Sequence, residues 1–138
     1  MMTPEKEMDA IVSSVCPDSG HWPYTRDSDL YIGYRPGPET ATLASDRRVR
    51  MQVRYDIVIC AQRSGLALEM EALRYKLYAA LAKGGWKLDG DPGPETYDAR
   101  QKRFFWPVTA VKSFALCVDG TPVDPAAMRK QAGDGGQT

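Results

Sequence analysis

The sequence predicts a mixed α/β fold of the α+β kind: a mostly antiparallel sheet with one long amphipathic helix packed on one face, and a short N-terminal helix. Three observations carry this prediction. Between residues 47 and 62 the chain alternates, with Val49, Met51, Val53, Tyr55, Ile57 and Ile59 on one parity and Arg48, Arg50, Gln52, Arg54 and Asp56 on the other. A period of two is an extended strand with one apolar face. Leu66, Met70, Leu73, Leu77 and Leu81 then recur at spacings of four, three, four and four, which is one apolar stripe on a helix. Residues 95–111 are extended and aromatic, and Val111, Phe114, Leu116 and Val118 continue the apolar character, as a partner strand requires.

The elements follow in order. Thr3-Pro4-Glu5 reads as an N-cap, a proline at the first helical position and an acid facing the helix dipole. Met8, Ile11, Val12 and Val15 hold helical spacing, and Cys16-Pro17 ends the helix. Residues 18–29 are polar and turn-rich, with His21, Trp22 and Tyr24 embedded in them. Leu30-Tyr31-Ile32-Gly33-Tyr34 predicts a short strand closed by Pro36-Gly37-Pro38, and a loop through Asp46 leads to the long alternating strand. The second helix is expected over 65–83, capped by Ser64, with Glu69 and Glu71 early, Arg74, Lys76 and Lys83 late, and Gly84-Gly85 as a left-handed C-cap. Trp86-Lys87-Leu88 begins a short strand or turn before the turn cluster at 89–94. Pro107 cannot donate to a ladder, so a bulge, an edge position or a break is expected there. From Asp119 onward the chain is small and polar, and Asp124-Pro125 can cap a short helix. The organisation is one domain over 1–118 and a polar, flexible tail over 119–138.

Composition narrows the function classes. An apolar share of 43% and a charged share of 26% are those of an ordinary soluble domain. No apolar run approaches the ~18 residues that span a bilayer, and Glu5, Glu7 and Asp9 stand where a signal peptide would be basic. Cys16, Cys60 and Cys117 are odd in number and far apart, without a CxxC, which predicts neither a disulfide framework nor a zinc site and suits a reducing cytoplasm. Eighteen basic residues cancel eighteen acidic ones, but not evenly along the chain. Residues 1–46 hold three basic and eight acidic side chains, residues 47–63 five and one, and residues 100–112 four and none. Such polarity suits head-to-tail contact between copies, an anionic partner on one face, or simply a solvated strand face.

Catalytic signatures are not found. His21 is the only histidine, and neither a nucleophile elbow nor a family signature surrounds it, Ser19 or Cys16. Further ligands at metal spacing do not accompany Cys16 and His21, and Gly84-Gly85 follows a helix instead of opening one, so it is not a phosphate loop. Asp89 and Asp91 lack the later ligands of a calcium loop. No cofactor, metal or catalytic residue is therefore predicted. Arg48, Arg50 and Arg54 form a row with about 7 Å between side chains for each two-residue step. Arginine forks suit carboxylates or phosphates, but base-stacking aromatics do not share that face, so protein contact is the expected use. Arg100, Lys102 and Arg103 are a second basic cluster, beside Phe104, Phe105 and Trp106. Trp22, Tyr24, Phe105 and Trp106 are candidates for an exposed aromatic patch.

The order of elements resembles the small tail-terminator or tail-completion proteins of long-tailed bacteriophages and prophages. The likeness runs over roughly residues 4–116. It rests on a short first helix, the aromatic strand Leu30-Tyr31-Ile32-Gly33-Tyr34, the long alternating strand, one helix ending in Lys83-Gly84-Gly85-Trp86, and a closing extended segment. The long polar C-terminal extension and Pro107 in the final strand depart from the family's pattern. The resemblance implies a non-catalytic structural protein of the virion tail, made in the cytoplasm of a bacterial host. It implies a homo-oligomeric ring, commonly hexameric, that caps the tail tube and joins it to head–tail connector proteins, with no membrane partner. In such a ring Arg48, Arg50 and Arg54, then Arg100 and Arg103, become subunit-interface or lumen residues, with non-specific phosphate contacts as DNA passes. Alternatives are another head-completion or minor tail protein, or a bacterial α/β module that binds protein or ligand through residues 21–24 and 104–106.

Overall fold

The computed structural model describes residues 3–23, 29–43, 49–62, 64–116 and 120–124. They form a mixed α+β structure with two α-helices and a mostly antiparallel sheet. The elements are α1 (Pro4–Val15), β1 (Ser19–His21), β2 (Leu30–Pro36), β3 (Thr40–Leu43), β4 (Val49–Ala61), α2 (Ala67–Lys83), β5 (Lys87–Leu88), β6 (Thr96–Asp98), β7 (Arg103–Leu116) and β8 (Pro122–Val123). Along the sheet the order is β1-β2-β4-β7-β5, with β3 also on β4 and with β6 and β8 also on β7. Only β1 and β2 run parallel; every other pair is antiparallel.

The alternating segment is the centre of the sheet. From Arg50 opposite Ala115 to Ala61 opposite Phe104, β4 and β7 keep one unbroken register. Because side chains alternate, that register sorts two faces. Val53, Tyr55, Ile57 and Ile59 are buried with Val108, Ala110 and Phe114 in one core cluster. The same cluster takes in Met8 and Val12 of α1 and Met70, Leu73, Leu77 and Leu81 of α2. Among the described residues no helix is long and apolar enough to cross a membrane.

Pro107 sits inside β7 without a bulge. Its carbonyl accepts from the Gly93 N–H at 2.8 Å, so its main-chain polar groups point away from β4, into the gap between β5 and β6. The missing N–H therefore falls at a local edge, the one place in a ladder where proline is tolerated.

Both helix starts were predicted, and one differs. Thr3 Oγ1 accepts from the Lys6 N–H at 3.2 Å, as an N-cap does. The start of α2 lies later than the expected cap at Ser64. A 3-10 turn, Ser64–Leu66, comes first, and Leu66 holds the N-cap position without a side-chain bond. At the far end Gly85, with φ +84°, supplies the left-handed residue, while Gly84 keeps φ −80°. Trp86 N–H donates to the Leu81 carbonyl and Gly85 N–H to that of Ala82. This Schellman closure turns Trp86 into the core, 3% exposed. Residues 18–29 and the loop before β4 hold two short strands, β1 and β3, that turn content concealed. Pro122–Val123 pairs with β7, and residues 119 and 125–138 of the expected tail lie outside the described residues, as does the short helix expected after Asp124-Pro125.

Candidate functional site

The face of the sheet opposite the core cluster carries the predicted arginine row. Arg50 is exposed there, flanked by exposed Gln52 and by Ser113 across the ladder. Arg54 lies on the same face but is engaged within the chain, its guanidinium 2.5 Å from the Asp89 carboxylate. Arg48 lies outside the described residues. Further along, Asp56 faces Arg35 at 3.8 Å and accepts from the Thr109 hydroxyl at 3.3 Å. Beside that pair is a cleft of about 140 Å³ lined by Trp22, Gly33, Tyr34, Arg35, Asp56 and Val58. Trp22 lies so close over β2 that a Cβ on Gly33 would stand 2.6 Å from its ring.

The second basic cluster does not form one surface. Arg100 is exposed in the turn after β6, its N–H held by the Asp98 carboxylate at 2.9 Å. Arg103 is 8% exposed, with its guanidinium 5.2 Å from the Tyr31 ring centroid. Strand alternation turns it onto Tyr31 and Cys60, so it does not extend the exposed row. The aromatic candidates separate as well. Trp22 and Phe105 are half-buried on the arginine face, whereas Trp106 points to the helix side. Trp106 donates to the Tyr78 hydroxyl at 2.9 Å and stacks under Arg74, 4.0 Å from the ring centroid. Tyr24 lies outside the described residues. No single patch joins Trp22, Phe105 and Trp106.

A second constellation, which the sequence reading missed, ties α1 to the sheet. Glu5 accepts from the Tyr55 hydroxyl at 2.5 Å and pairs with His21 Nδ1. Asp9 accepts from the Tyr34 hydroxyl at 2.7 Å. Glu7 accepts from Trp86 Nε1 at 3.0 Å and from Lys112 Nζ. Lys112 also donates to the Gly84 carbonyl and meets Asp124, both at 2.7 Å. Burial, and then the hydrogen bonds to the carboxylates, push the Tyr34 and Tyr55 hydroxyls well above the ordinary tyrosine range. The signal that could have revealed this is Lys112 itself. It is a lysine at an inward parity of β7, between Ala110 and Phe114.

His21 is thus a strand residue, paired with Glu5 and edge-on to Tyr34 at 5.8 Å. Cys16 and Cys60 are buried free thiols. Burial raises both, Cys60 to about 12, the reverse of an activated nucleophile. Among the described residues no three His, Cys, Asp or Glu side chains are placed to share a metal ion. No protein-family model and no curated protein matches the chain. Glu5 and Glu7 are spent inside the chain, so the acidic N-terminal third offers less charge to a neighbour than its composition suggests. Among the described residues, what remains open is the end of the sheet around Arg50, Gln52 and Ser113.

Proposed function

We propose that this chain is a non-catalytic structural protein of a bacteriophage or prophage tail. It acts as a ring-forming terminator that caps the tail tube and joins it to the head. The element order that resembles tail-terminator proteins supports the reading, as does the packing of α2, which ends in Gly-Trp, together with α1 on the β4–β7 ladder. One observation carries it: the β4–β7 face around Arg50 is polar, cationic and free of any covering helix among the described residues. Such a face meets a different surface of the next copy, and repeated head-to-tail contacts close a ring when the rotation fits. Non-specific contact with DNA phosphates in the lumen is a further use of the same arginine.

Arg50→Glu is the clean test, because Arg54 is already paired with Asp89 and its reversal would also break that contact. The variant is expected to lose the ring, its mass by light scattering falling to two copies or fewer where the wild type is a multimer of about six copies or more, with stability changed by less than ~0.5 kcal/mol. Wild-type assembly should also weaken as salt rises through the Debye range. Full oligomer mass in the Arg50→Glu variant would overturn the role assigned to this face. A second reading, an α/β binding module, is favoured by the cleft between Trp22, Arg35 and Asp56. A chain that stays monomeric at every concentration would support that reading instead.

A further inference from the structure

Helix α2 carries a second apolar row. Leu68, Ala72, Tyr75, Ala79 and Ala82 recur at spacings of four, three, four and three. All five are exposed, Leu68 at 79% and Tyr75 at 61%. The row lies across the helix from Met70, Leu73, Leu77 and Leu81, which face the core. An amphipathic surface helix has one apolar side; a helix with two is built to be covered twice. Alternating spacings of three and four are the seam of a helix pair, in which large side chains enter the spaces above small ones.

Tyr75 is held ready for such a contact. Its ring stands edge-on to Tyr78 at 6.2 Å, and the Arg74 guanidinium lies 6.0 Å from its centroid. Tyr78 is in turn fixed by its bond from Trp106. A large side chain already positioned loses little freedom on association.

The charges beside the row identify the occupant. Glu69 and Glu71 lie in the first half of α2, and Lys76 and Lys83 in the second. Among the described residues none of these four takes part in an ion pair. An antiparallel copy of the same helix, related by a two-fold axis at Tyr75, answers both patterns. Leu68 then meets Ala82 of the second copy and Ala72 meets Ala79, large against small and small against small. Glu69 meets Lys83 of the second copy twice over, and the helix dipoles run oppositely. We propose that α2 is a self-association surface, pairing antiparallel with α2 of a second copy through Leu68, Ala72, Tyr75, Ala79 and Ala82. The contact is isologous, so it is independent of the head-to-tail contact at Arg50 and does not rest on the ring.

Sedimentation equilibrium on the full chain tests it. The wild-type mass is expected to be twice that of Tyr75→Glu, and the Arg50→Glu variant to remain a two-copy particle. Air-oxidised Tyr75→Cys should cross-link to itself, because that position lies on the axis. Ala67→Cys, exposed but off the row, should not. Glu69→Lys is expected to weaken the pair about tenfold by setting like charges together at both ends. Adding Lys83→Glu should restore it. Thermal melting of each variant separates loss of pairing from loss of fold. Wild-type mass in a folded Tyr75→Glu variant would overturn the proposal, as would failure of the double charge exchange to recover the pair. Protection of Tyr75 that persists in a dilute monomer would also overturn it, by giving the face to this chain's own residues 125–138.

Discussion

Lys112→Met is expected to destabilise the folded chain by about 3–5 kcal/mol, the range for removing one partner of a buried ion pair. The Lys112 side chain is 6% exposed and that of Glu7 is 16% exposed. Methionine approximates the volume of the lysine stem, so little cavity arises and the loss reports polar groups left behind. Those groups are specific. Among the described residues Glu7 keeps only the Trp86 N–H, the Gly84 carbonyl at the end of α2 loses the Lys112 donor, and Asp124 loses its pairing with Lys112. Because Lys112 joins the end of α2, the start of α1 and β8, its removal should loosen all three together. Urea unfolding followed by far-ultraviolet circular dichroism measures the change. Glu7→Gln in the Lys112→Met background should recover part of it, since a neutral amide no longer leaves a buried charge unpaired. A Lys112→Met loss below ~1 kcal/mol, the level of an exposed pair, would mean that water reaches this clasp.

That clasp also marks the limit of what the sequence discloses. Period two in residues 47–62 and the spacing of Met70, Leu73, Leu77 and Leu81 are local, so the central strand, the second helix and their inward residues are legible from order alone. Thr3-Pro4 and Gly85-Trp86 announce helix ends for the same reason. Partner choice is not local. Glu7 and Lys112 are 105 positions apart and Glu5 and Tyr55 are 50 apart, and nothing near Glu5 or Glu7 distinguishes a carboxylate that faces solvent from one bound to the sheet. The basic cluster shows the converse. Alternation within β7 places Arg103 and Trp106 on opposite faces, a separation that proximity in sequence conceals. Short strands such as β1 and β3 take their form from the neighbour they pair with, and their own composition reads as turn. On α2 the second row was present in the sequence but hidden behind the first, because a helix apolar on two sides lacks the contrast by which one stripe is recognised.

Raising the pH should unfold this protein steeply above pH 10, and the direction follows from three tyrosines. Tyr31, Tyr34 and Tyr55 are 1%, 3% and 3% exposed. Burial holds the Tyr31 hydroxyl up at about 12, and burial together with bonds to Asp9 and Glu5 holds those of Tyr34 and Tyr55 higher still. In the unfolded chain each titrates near 10. Below pH 10 both states keep these protons, so the contribution of the three groups is fully present. Above pH 10 the unfolded chain releases them while the folded chain does not. The folded state then binds more protons, and stability falls as pH rises. Each proton contributes about 1.4 kcal/mol per pH unit, so three together give a slope of roughly 4 kcal/mol per unit between pH 10 and 12. A marginally stable domain does not survive two units of that slope. The buried Cys60 thiol, also held at about 12, adds to the fall from the pH at which a free thiol titrates. Denaturant midpoints at neutral pH and at several points above pH 9 measure the slope. Tyr55→Phe should flatten it by about one proton, while weakening the neutral-pH fold by about 1–2 kcal/mol, because Glu5 Oε2 then loses the tyrosine hydroxyl and the carboxylate keeps only His21 among the described residues. A slope unchanged by Tyr55→Phe would show that Tyr55 ionises as freely in the folded chain as in the unfolded one, and its bond to Glu5 could not then be what anchors α1.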